Sequence, residues 1–451
     1  MLNLSHMNNY ERLSNNETGG LILLKENLET IYNCDVKLLV NPIKYFNDCG
    51  IDITKNPNRS VYRIENFILL LTKVMKDDNI DAVLGIRLSG NLILEYKNSD
   101  LEIIARTVTK IISDCYNQNR SFNHSIKYFD RVFVDKLICN YMAKGYYVES
   151  SFQYLLGVLC ELSKMTFENE HFSTGFIISK EANFFERPIN VARKGEVHKI
   201  NIPFDIKGKN RLNKRLWKLV DGINSFYLFD KSLSSKCIYI NKSDNSLSEC
   251  FIDAKAMSDS LYGQDVAFRT FGHNQFSLTN SSKQEFVNID NRWIFRDYDV
   301  IERFLLKELS FIDVDLSNLF ISQLLFYIHY CSINCYSSII WVPEDIDIIS
   351  EVLVGDNPEK YFDNDISLFE EKYKAIFLRC ITSDGITIVN KNGYLSSFGQ
   401  IADISKANSS GISGTGETVT TLLATNGMAI KISSDGIIKL YSKNLSKYMC
   451  I

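Results

Sequence analysis

The 451-residue sequence lacks the short motifs that identify several common enzyme classes. It contains neither the H-E-x-x-H motif of metalloproteases nor the G-x-x-x-x-G-K-[ST] loop of NTPases. With only six histidines, it also shows no Ser-His-Asp arrangement in an order typical of serine hydrolases. Hydrolase and NTPase functions therefore have no support from sequence motifs.

A second group of absences concerns cysteine pairs, leader segments and membrane spans. None of the eleven cysteines belongs to a C-x-x-C pair, and Cys331 and Cys335 have no second pair that would complete a zinc site. The first residues, M-L-N-L-S-H, lack the charged and apolar regions of a signal peptide. No apolar run reaches the roughly 20 residues of a membrane span. We therefore expect reduced cysteines and a cytoplasmic protein with no membrane partner.

The overall charge also limits the choice of partners. The formal net charge is −4, so neither a nucleic-acid backbone nor an anionic membrane would attract the chain as a whole. Nucleic acid is therefore not an expected partner. A hydrophobic content of 45% and a charged content of 23% are ordinary for a globular protein, and the length predicts about three domains.

The last seventy residues contain the most informative pattern. The segment from Ile386 to Val389 predicts a strand that turns at Asn390-Lys391-Asn392-Gly393 into a second strand. Gly414-Thr415-Gly416 precedes a predicted helix from Thr418 to Ala424, which a further hairpin follows. Backbone N–H groups at a glycine-rich loop that opens a helix suit phosphate. Together with Asp384-Gly385, this loop could hold a nucleotide.

These residues resemble the nucleotide-binding domain of the diadenylate cyclase (DAC) family, over roughly residues 305 to 445. In that family an Asp-Gly-Ala motif starts a strand and holds the catalytic metal, and a Gly-Thr-Arg-His-Arg motif opens a helix that contacts phosphate. Asp384-Gly385-Ile386 matches the first motif, with Ile in place of Ala. Gly414-Thr415 matches the start of the second, but Gly416, Glu417 and Thr418 stand at the Arg-His-Arg positions.

The resemblance implies a site without its catalytic cations. The missing cations favour a catalytically inactive, DAC-like sensor of a nucleotide or nucleotide second messenger, in bacterial signalling or antiphage defence. Sensing would need no cofactor, whereas an active enzyme would use Asp384 to hold Mg²⁺ or Mn²⁺. The ligand-binding residues that the resemblance implies are Asp384, Gly385, Gly414, Thr415, Gly416, Glu417 and Thr418.

An earlier part of the chain repeats this pattern. The predicted strand at Gly175 corresponds to the strand at Ser338, and Asp221-Gly222-Ile223 corresponds to Asp384-Gly385-Ile386, both at an offset of 163 residues. Two equal offsets predict a degenerate duplication, with chance similarity between two α/β patterns as the alternative. Asp221 and Gly222 are therefore candidate ligand residues of the first copy, which has no Gly-Thr-Gly counterpart.

The predicted fold is α/β in the broad α+β sense. An N-terminal α+β region would span 1–145, a first degenerate DAC-like domain 146–300, and a second DAC-like domain 301–451. Each DAC-like domain would have a central mixed sheet flanked by helices.

Three local predictions concern the N-terminal region. Apolar spacing predicts one helix from Ile64 to Met75 and an amphipathic helix from Leu101 to Cys115. The runs Ala82–Ile86 and Leu92–Tyr96 predict a hairpin around Ser89-Gly90-Asn91. None of these elements indicates a chemical role.

Several candidate residues have a second interpretation besides ligand binding or catalysis. Asp384 could equally be a plain turn residue. Glu417 could bind an exocyclic amine or a cation, or could simply be a favourable acid in the first turn of a helix. Lone histidines such as His329 fit a hydrogen-bonded core residue better than a base.

The function has two alternatives as well. One is an active diadenylate or nucleotidyl cyclase that makes a cyclic dinucleotide from ATP, with phosphate held by Lys391 or Lys431. The other is a non-binding scaffold with vestigial pockets. For the sensor, an effector protein or a second copy of the chain is the expected partner.

Overall fold

A computed structural model of the chain divides into two compact units. The first comprises residues 1–157 with 292–294, and the second comprises 158–291 with 295–451. The predicted boundary after 145 lies close to this division, and the predicted boundary at 300 falls inside the second unit. The structure describes residues 19–451 except 40–41, 54, 56–57, 77–78, 91, 118–125, 144–148, 172, 180–194, 209–210, 231, 242–256, 259–260, 262, 273, 355–365, 407–413 and 446–447.

The first unit contains a four-stranded antiparallel sheet in the order β1-β4-β3-β2. Helix α3 packs on β3, and helix α4 packs against α1 and α3. Its elements are α1 (Gly19–Tyr32), β1 (Asp35–Leu39), α2 (Pro42–Asp48), β2 (Val61–Ile64), β3 (Phe67–Lys76), β4 (Asn79–Ser89), α3 (Asn98–Asn117) and α4 (Ile126–Ala143). Helix α5 (Glu149–Ser163) begins in this unit and ends in the second.

The predicted helix from Ile64 to Met75 is wrong, because most of this segment is strand β3. Ile64 and Phe67 are register partners, so Glu65-Asn66 forms a two-residue hairpin turn. The run from Ile68 to Leu71 is at most 1% exposed. A strand covered on both faces shows a continuous apolar run without the alternation that identifies a half-buried strand.

The predicted hairpin around Ser89-Gly90-Asn91 is also wrong. Strand β4 pairs with β1 and β3, and Ile93–Glu95 forms a single turn of 3₁₀ helix. The amphipathic helix from Leu101 to Cys115 is confirmed as the central part of α3.

The second unit contains an eight-stranded mixed sheet in the order β14-β13-β12-β11-β7-β9-β10-β8, apart from the first three residues of β14, which belong to the first unit. A separate two-stranded hairpin, β5 (Thr166–Phe167) and β6 (Glu170–His171), precedes it. The other elements are β7 (Thr174–Ile178), β8 (Gly195–Asp205), α6 (Lys214–Trp217), β9 (Ser225–Phe229), β10 (Ser234–Asn241), β11 (Val266–Gly272), β12 (Gln275–Asn280), β13 (Gln284–Ile289) and β14 (Arg292–Asp297).

A six-stranded mixed sheet follows in the same unit, in the order β17-β16-β15-β18-β19-β20. Helix α11 covers one face through Val419 and Leu423, which pack with Trp341, Ile386 and Ile388. The α+β class expected from the sequence is confirmed. The elements are α7 (Tyr298–Glu308), α8 (Val314–Ile333), β15 (Ser338–Pro343), α9 (Ile349–Val352), α10 (Lys374–Ile381), β16 (Ile386–Val389), β17 (Leu395–Gln400), α11 (Thr415–Leu423), β18 (Gly427–Ile432), β19 (Ile438–Ser442) and β20 (Met449–Cys450).

Six strands of the larger sheet match the smaller sheet in order and direction. The order β10-β9-β7-β11-β12-β13 corresponds to β17-β16-β15-β18-β19-β20. In both, the third strand runs parallel to the second, and every other neighbouring pair is antiparallel. A duplicated unit would produce this match, although the duplication itself stays a prediction.

One side-chain contact recurs at the same place in both sheets. The hydroxyl of Thr174, at the start of β7, donates to the carbonyl of Trp217 at 2.7 Å. The hydroxyl of Ser338, at the start of β15, donates to the carbonyl of Ile381 at 2.7 Å. Both members of the second pair stand 164 residues after their counterparts, one more than the predicted offset.

The next strand gives a different offset. Tyr227 donates its hydroxyl hydrogen to the carbonyl of Leu216, and Thr387 donates to the carbonyl of Cys380. The carbonyl residues are 164 apart but the hydroxyl residues only 160, so the segment between the two contacting residues is four residues longer in the first sheet. Asp221 stands six residues before Tyr227, whereas Asp384 stands three before Thr387. The two Asp-Gly pairs therefore do not occupy equivalent positions.

Helix α8 is the one helix of the described residues that is long and apolar enough to cross a membrane. The expectation of no membrane span was based on uninterrupted apolar runs. A few polar residues interrupt the apolar run of this helix, but its mean hydropathy is still high enough for a membrane span. Of its most apolar window, 61% is buried inside the protein. Such burial is typical of a core helix.

Candidate functional site

The C-terminal candidate residues lie where several strands of the six-stranded sheet begin or end, and we call this side of the sheet its edge. Strands β15 and β16 begin at this edge and β18 ends there, since Ser338 pairs with Ile432. One row of register partners crosses β16, β15, β18 and β19 and consists of Ile386, Ile339, Lys431 and Lys439. Neighbouring strands lie roughly 4.8 Å apart, so this row spans about 14 Å.

Asp384 stands two residues before β16 and is exposed. One of its carboxylate oxygens accepts the backbone N–H of Gly385 at 3.0 Å, its only hydrogen bond within the described part of the chain. Gly385 has a φ of +97°, and a Cβ there would lie 2.7 Å from the carbonyl carbon of Gly399. The pair is thus a turn that requires glycine, and it leaves most of the carboxylate available to a ligand.

Helix α11 begins three residues earlier than predicted, so it includes Thr415, Gly416 and Glu417 in its first turn. Its cap, Gly414, is exposed and extended, and the hydroxyl of Thr418 donates back to the Gly414 carbonyl at 3.4 Å. A Cβ on Gly416 would lie 3.2 Å from the Nζ of Lys431. The first turn of the helix therefore lies beside Lys431, and the absence of a side chain at Gly416 leaves room for it.

Glu417 forms an ion pair with Lys439, whose Nζ lies 2.5 Å from Oε1. The hydrogen bond from Lys439 lowers the pKa of Glu417, so the carboxylate is ionised at neutral pH. The same Nζ lies 4.2 Å from the ring centroid of Tyr448, at cation–π distance. Sequence reasoning missed Lys439. The signal that could have identified Lys439 is the hairpin that turns at Asp435-Gly436, which places Lys439 opposite Lys431.

Only one of the two lysines predicted for phosphate lies at this edge. Lys431 belongs to the row of register partners, whereas Lys391 is exposed in the turn after β16. The four residues of β16 place roughly 13 Å of strand between Asp384 and Lys391. Lys391 therefore lies at the opposite end of β16 from Asp384.

Asp221 organises its own loop. One carboxylate oxygen accepts the backbone N–H groups of Ile223, Asn224 and Ser225 at 2.7–2.9 Å, and the Ser225 hydroxyl at 3.0 Å. Gly222 has a φ of +67°, and a Cβ there would lie 2.4 Å from the carbonyl oxygen of Thr174. Unlike Asp384, Asp221 uses its carboxylate mainly to hold the turn that precedes β9.

The position in the larger sheet that matches Lys431 is occupied by Arg269. It pairs with Gly175 and Ser277, as Lys431 pairs with Ile339 and Lys439. Arg269 is 1% exposed, and its Nη2 lies 2.9 Å from the carboxylate of Glu285. The cation of the larger sheet is thus committed to a buried ion pair.

The described residues contain no group of three or more His, Cys, Asp or Glu side chains that could hold a metal ion. Asp384 could contribute a single carboxylate. Mg²⁺ commonly binds through one or two carboxylates together with ligand phosphates. A metal ion at this edge would therefore need ligands from a bound phosphate in addition to Asp384.

Comparison with known proteins assigns no family to the chain. No protein-family model matches it, and no curated protein matches it. Its function is therefore inferred from the site.

Proposed function

We propose that the edge of the six-stranded sheet binds a nucleotide or a nucleotide-derived second messenger, and that the chain is a sensor that does not turn its ligand over. One arrangement carries this proposal: an exposed carboxylate, Asp384, shares the edge with Lys431, Lys439 and the start of helix α11. Nucleotides need such a combination of cations for phosphate and acceptors for a ribose hydroxyl or a metal.

The lack of turnover follows from the small number of available cations. Phosphoryl transfer depends on cations and metal ions that stabilise charge on the transferred phosphate and the leaving group. Gly416, Glu417 and Thr418 supply none, and Glu417 neutralises Lys439. Within the described residues, Lys431 alone of these lysines has no ion-pair partner. One lysine outside an ion pair suits binding better than catalysis.

The biological setting comes from the resemblance to the diadenylate cyclase family. A cytoplasmic sensor in bacterial signalling or antiphage defence would couple ligand binding to an effector protein or a second copy of the chain. Ligand binding would shift the population of conformations only as far as the ligand prefers one of them.

A thermal-shift screen with nucleotides and cyclic nucleotides tests the proposal. We expect stabilisation that grows with ligand concentration and is lost in Lys431→Met. Incubation with ATP and Mn²⁺ should yield no cyclic dinucleotide, and a product that disappears in Asp384→Asn would establish a cyclase instead. No shift with any nucleotide, together with a tight protein partner, would favour the scaffold.

A further inference from the structure

Lys431 and Lys439 stand directly opposite each other on adjacent antiparallel strands. Register partners project from the same face of a sheet, and like charges at such positions destabilise it. Both side chains contact the first turn of α11, Lys431 at Gly416 and Lys439 at Glu417. The pair therefore needs negative charge nearby.

Glu417 supplies only one negative charge for these two cations. Its carboxylate binds Lys439, and the side chains of Lys439 and Glu417 are 17% and 30% exposed. Lys431 has no ion-pair partner among the described residues, so Lys431, Lys439 and Glu417 together keep one excess positive charge, which is partly buried. The carboxylate also occupies a position at Lys439 where a phosphate oxygen would make the same contact.

We propose that Glu417 determines which phosphate ligands this site accepts, by occupying Lys439 and leaving Lys431 for a single phosphate charge. This inference rests on the proposed function and deepens it. A phosphodiester, with one negative charge, matches the single excess positive charge. A polyphosphate would bring further negative charge against Glu417, and like-charge juxtaposition opposes binding.

The test compares three ligands that share one base but differ in phosphate charge: cyclic AMP, AMP and ATP. Affinities are measured by calorimetry without divalent metal and at low ionic strength, where electrostatic differences are largest. The variant is Glu417→Gln. Its matched control is Glu344→Gln. Glu344 directly follows the other end of β15 and forms an exposed ion pair with Lys443, so this variant removes the same charge at a different position.

We expect Glu417→Gln to tighten ATP binding by about tenfold or more and cyclic AMP binding by less than about threefold, since the removed repulsion scales with ligand charge. Glu344→Gln should change neither affinity. A ratio of ATP to cyclic AMP affinity that Glu417→Gln leaves unchanged would overturn the inference, because a purely structural role would affect all ligands alike.

A second variant covers the case in which Glu417→Gln does not fold. Lys439→Met leaves Glu417 beside Lys431, and ATP binding should weaken by a larger factor than cyclic AMP binding. Equal weakening of both would again contradict the inference. If the wild type and both variants bind none of the three ligands, and the thermal-shift screen finds no nucleotide that stabilises the protein, the proposed function itself fails, an outcome distinct from binding without charge selectivity.

Discussion

The hydroxyl of Tyr298 lies 2.9 Å from Nε2 of His329 and 3.0 Å from a carboxylate oxygen of Glu285. Nδ1 of the same histidine lies 2.7 Å from the carbonyl oxygen of Leu325, which can only accept, so Nδ1 carries the ring proton. The expectation that His329 is a hydrogen-bonded core residue is confirmed. Its buried network connects the larger sheet with helices α7 and α8.

The free energy of unfolding should fall as the pH drops below the usual pKa of histidine. Burial, with Arg296 nearby, lowers the pKa of His329 to about 3, whereas an unfolded histidine titrates near roughly 6.5. Between these values only the unfolded chain takes up the proton. Stability is therefore lost towards lower pH, by up to about 1.4 kcal/mol per pH unit.

Urea denaturation at several pH values between about 7 and 5 checks this, and His329→Gln should show a shallower dependence on pH. Arg296 and Arg269 hold the pKa of Glu285 below its usual value despite burial. Glu285 therefore stays ionised in both states over this range, above the roughly 4.3 of an unfolded glutamate. If the free energy of unfolding changed equally with pH in the wild type and in His329→Gln, the prediction would be contradicted.

Removal of the Glu285 charge should be severely destabilising. Arg269 and Arg296 bind its two carboxylate oxygens at 2.9 and 3.3 Å, and all three side chains are at most 4% exposed. Glu285→Gln leaves two buried guanidinium groups without a counter-charge, which should cost about 3–5 kcal/mol. Glu344→Gln breaks an exposed ion pair and should cost less than about 1 kcal/mol. Similar urea midpoints for the two variants would refute this difference.

The two Asp-Gly turns should respond differently to the same substitution. Asp221→Ala removes the acceptor of three backbone N–H groups and should cost roughly 2 kcal/mol or more. Asp384→Ala removes one acceptor at an exposed turn and should cost less than about 0.5 kcal/mol. Conversely, nucleotide-induced stabilisation should weaken in Asp384→Ala and persist in Asp221→Ala. Thermal unfolding with and without ligand measures both effects, and the reverse pattern would place the ligand in the larger sheet.

The sequence predicted the local elements of the C-terminal region because their signals are short-range. Alternating apolar residues and glycine turns identify β16, β17 and the hairpin of β18 and β19, and the glycine loop indicates α11. The pairing of Lys431 with Lys439 depends on the hairpin register, which the apolar pattern sets only together with the turn at Asp435-Gly436. Strand β3 was mistaken for a helix because burial on both faces removes the alternation on which strand prediction depends.

The match between the two sheets shows how equal spacing can mislead about individual residues. The predicted offset of 163 linked Asp221 to Asp384, but the offset is 164 on the helix side of the loop and 160 on the strand side. The connecting segments differ in length, and equal spacing of the flanking residues does not reveal this. The conformation of this loop determines whether the carboxylate of the Asp-Gly pair is exposed, as in Asp384, or binds backbone N–H groups of the turn, as in Asp221.

Strand β15 lies between β16 and β18, and β18 follows it by more than eighty residues along the chain. A nascent chain that leaves the ribosome can thus complete only one side of β15 until Gly427–Ile432 has been synthesised. Until then β18 cannot pair with β15, whose residues Ile340, Trp341 and Val342 are fully buried in the folded protein. A stop codon shortly before residue 427 should therefore yield a product prone to aggregate through an open strand edge.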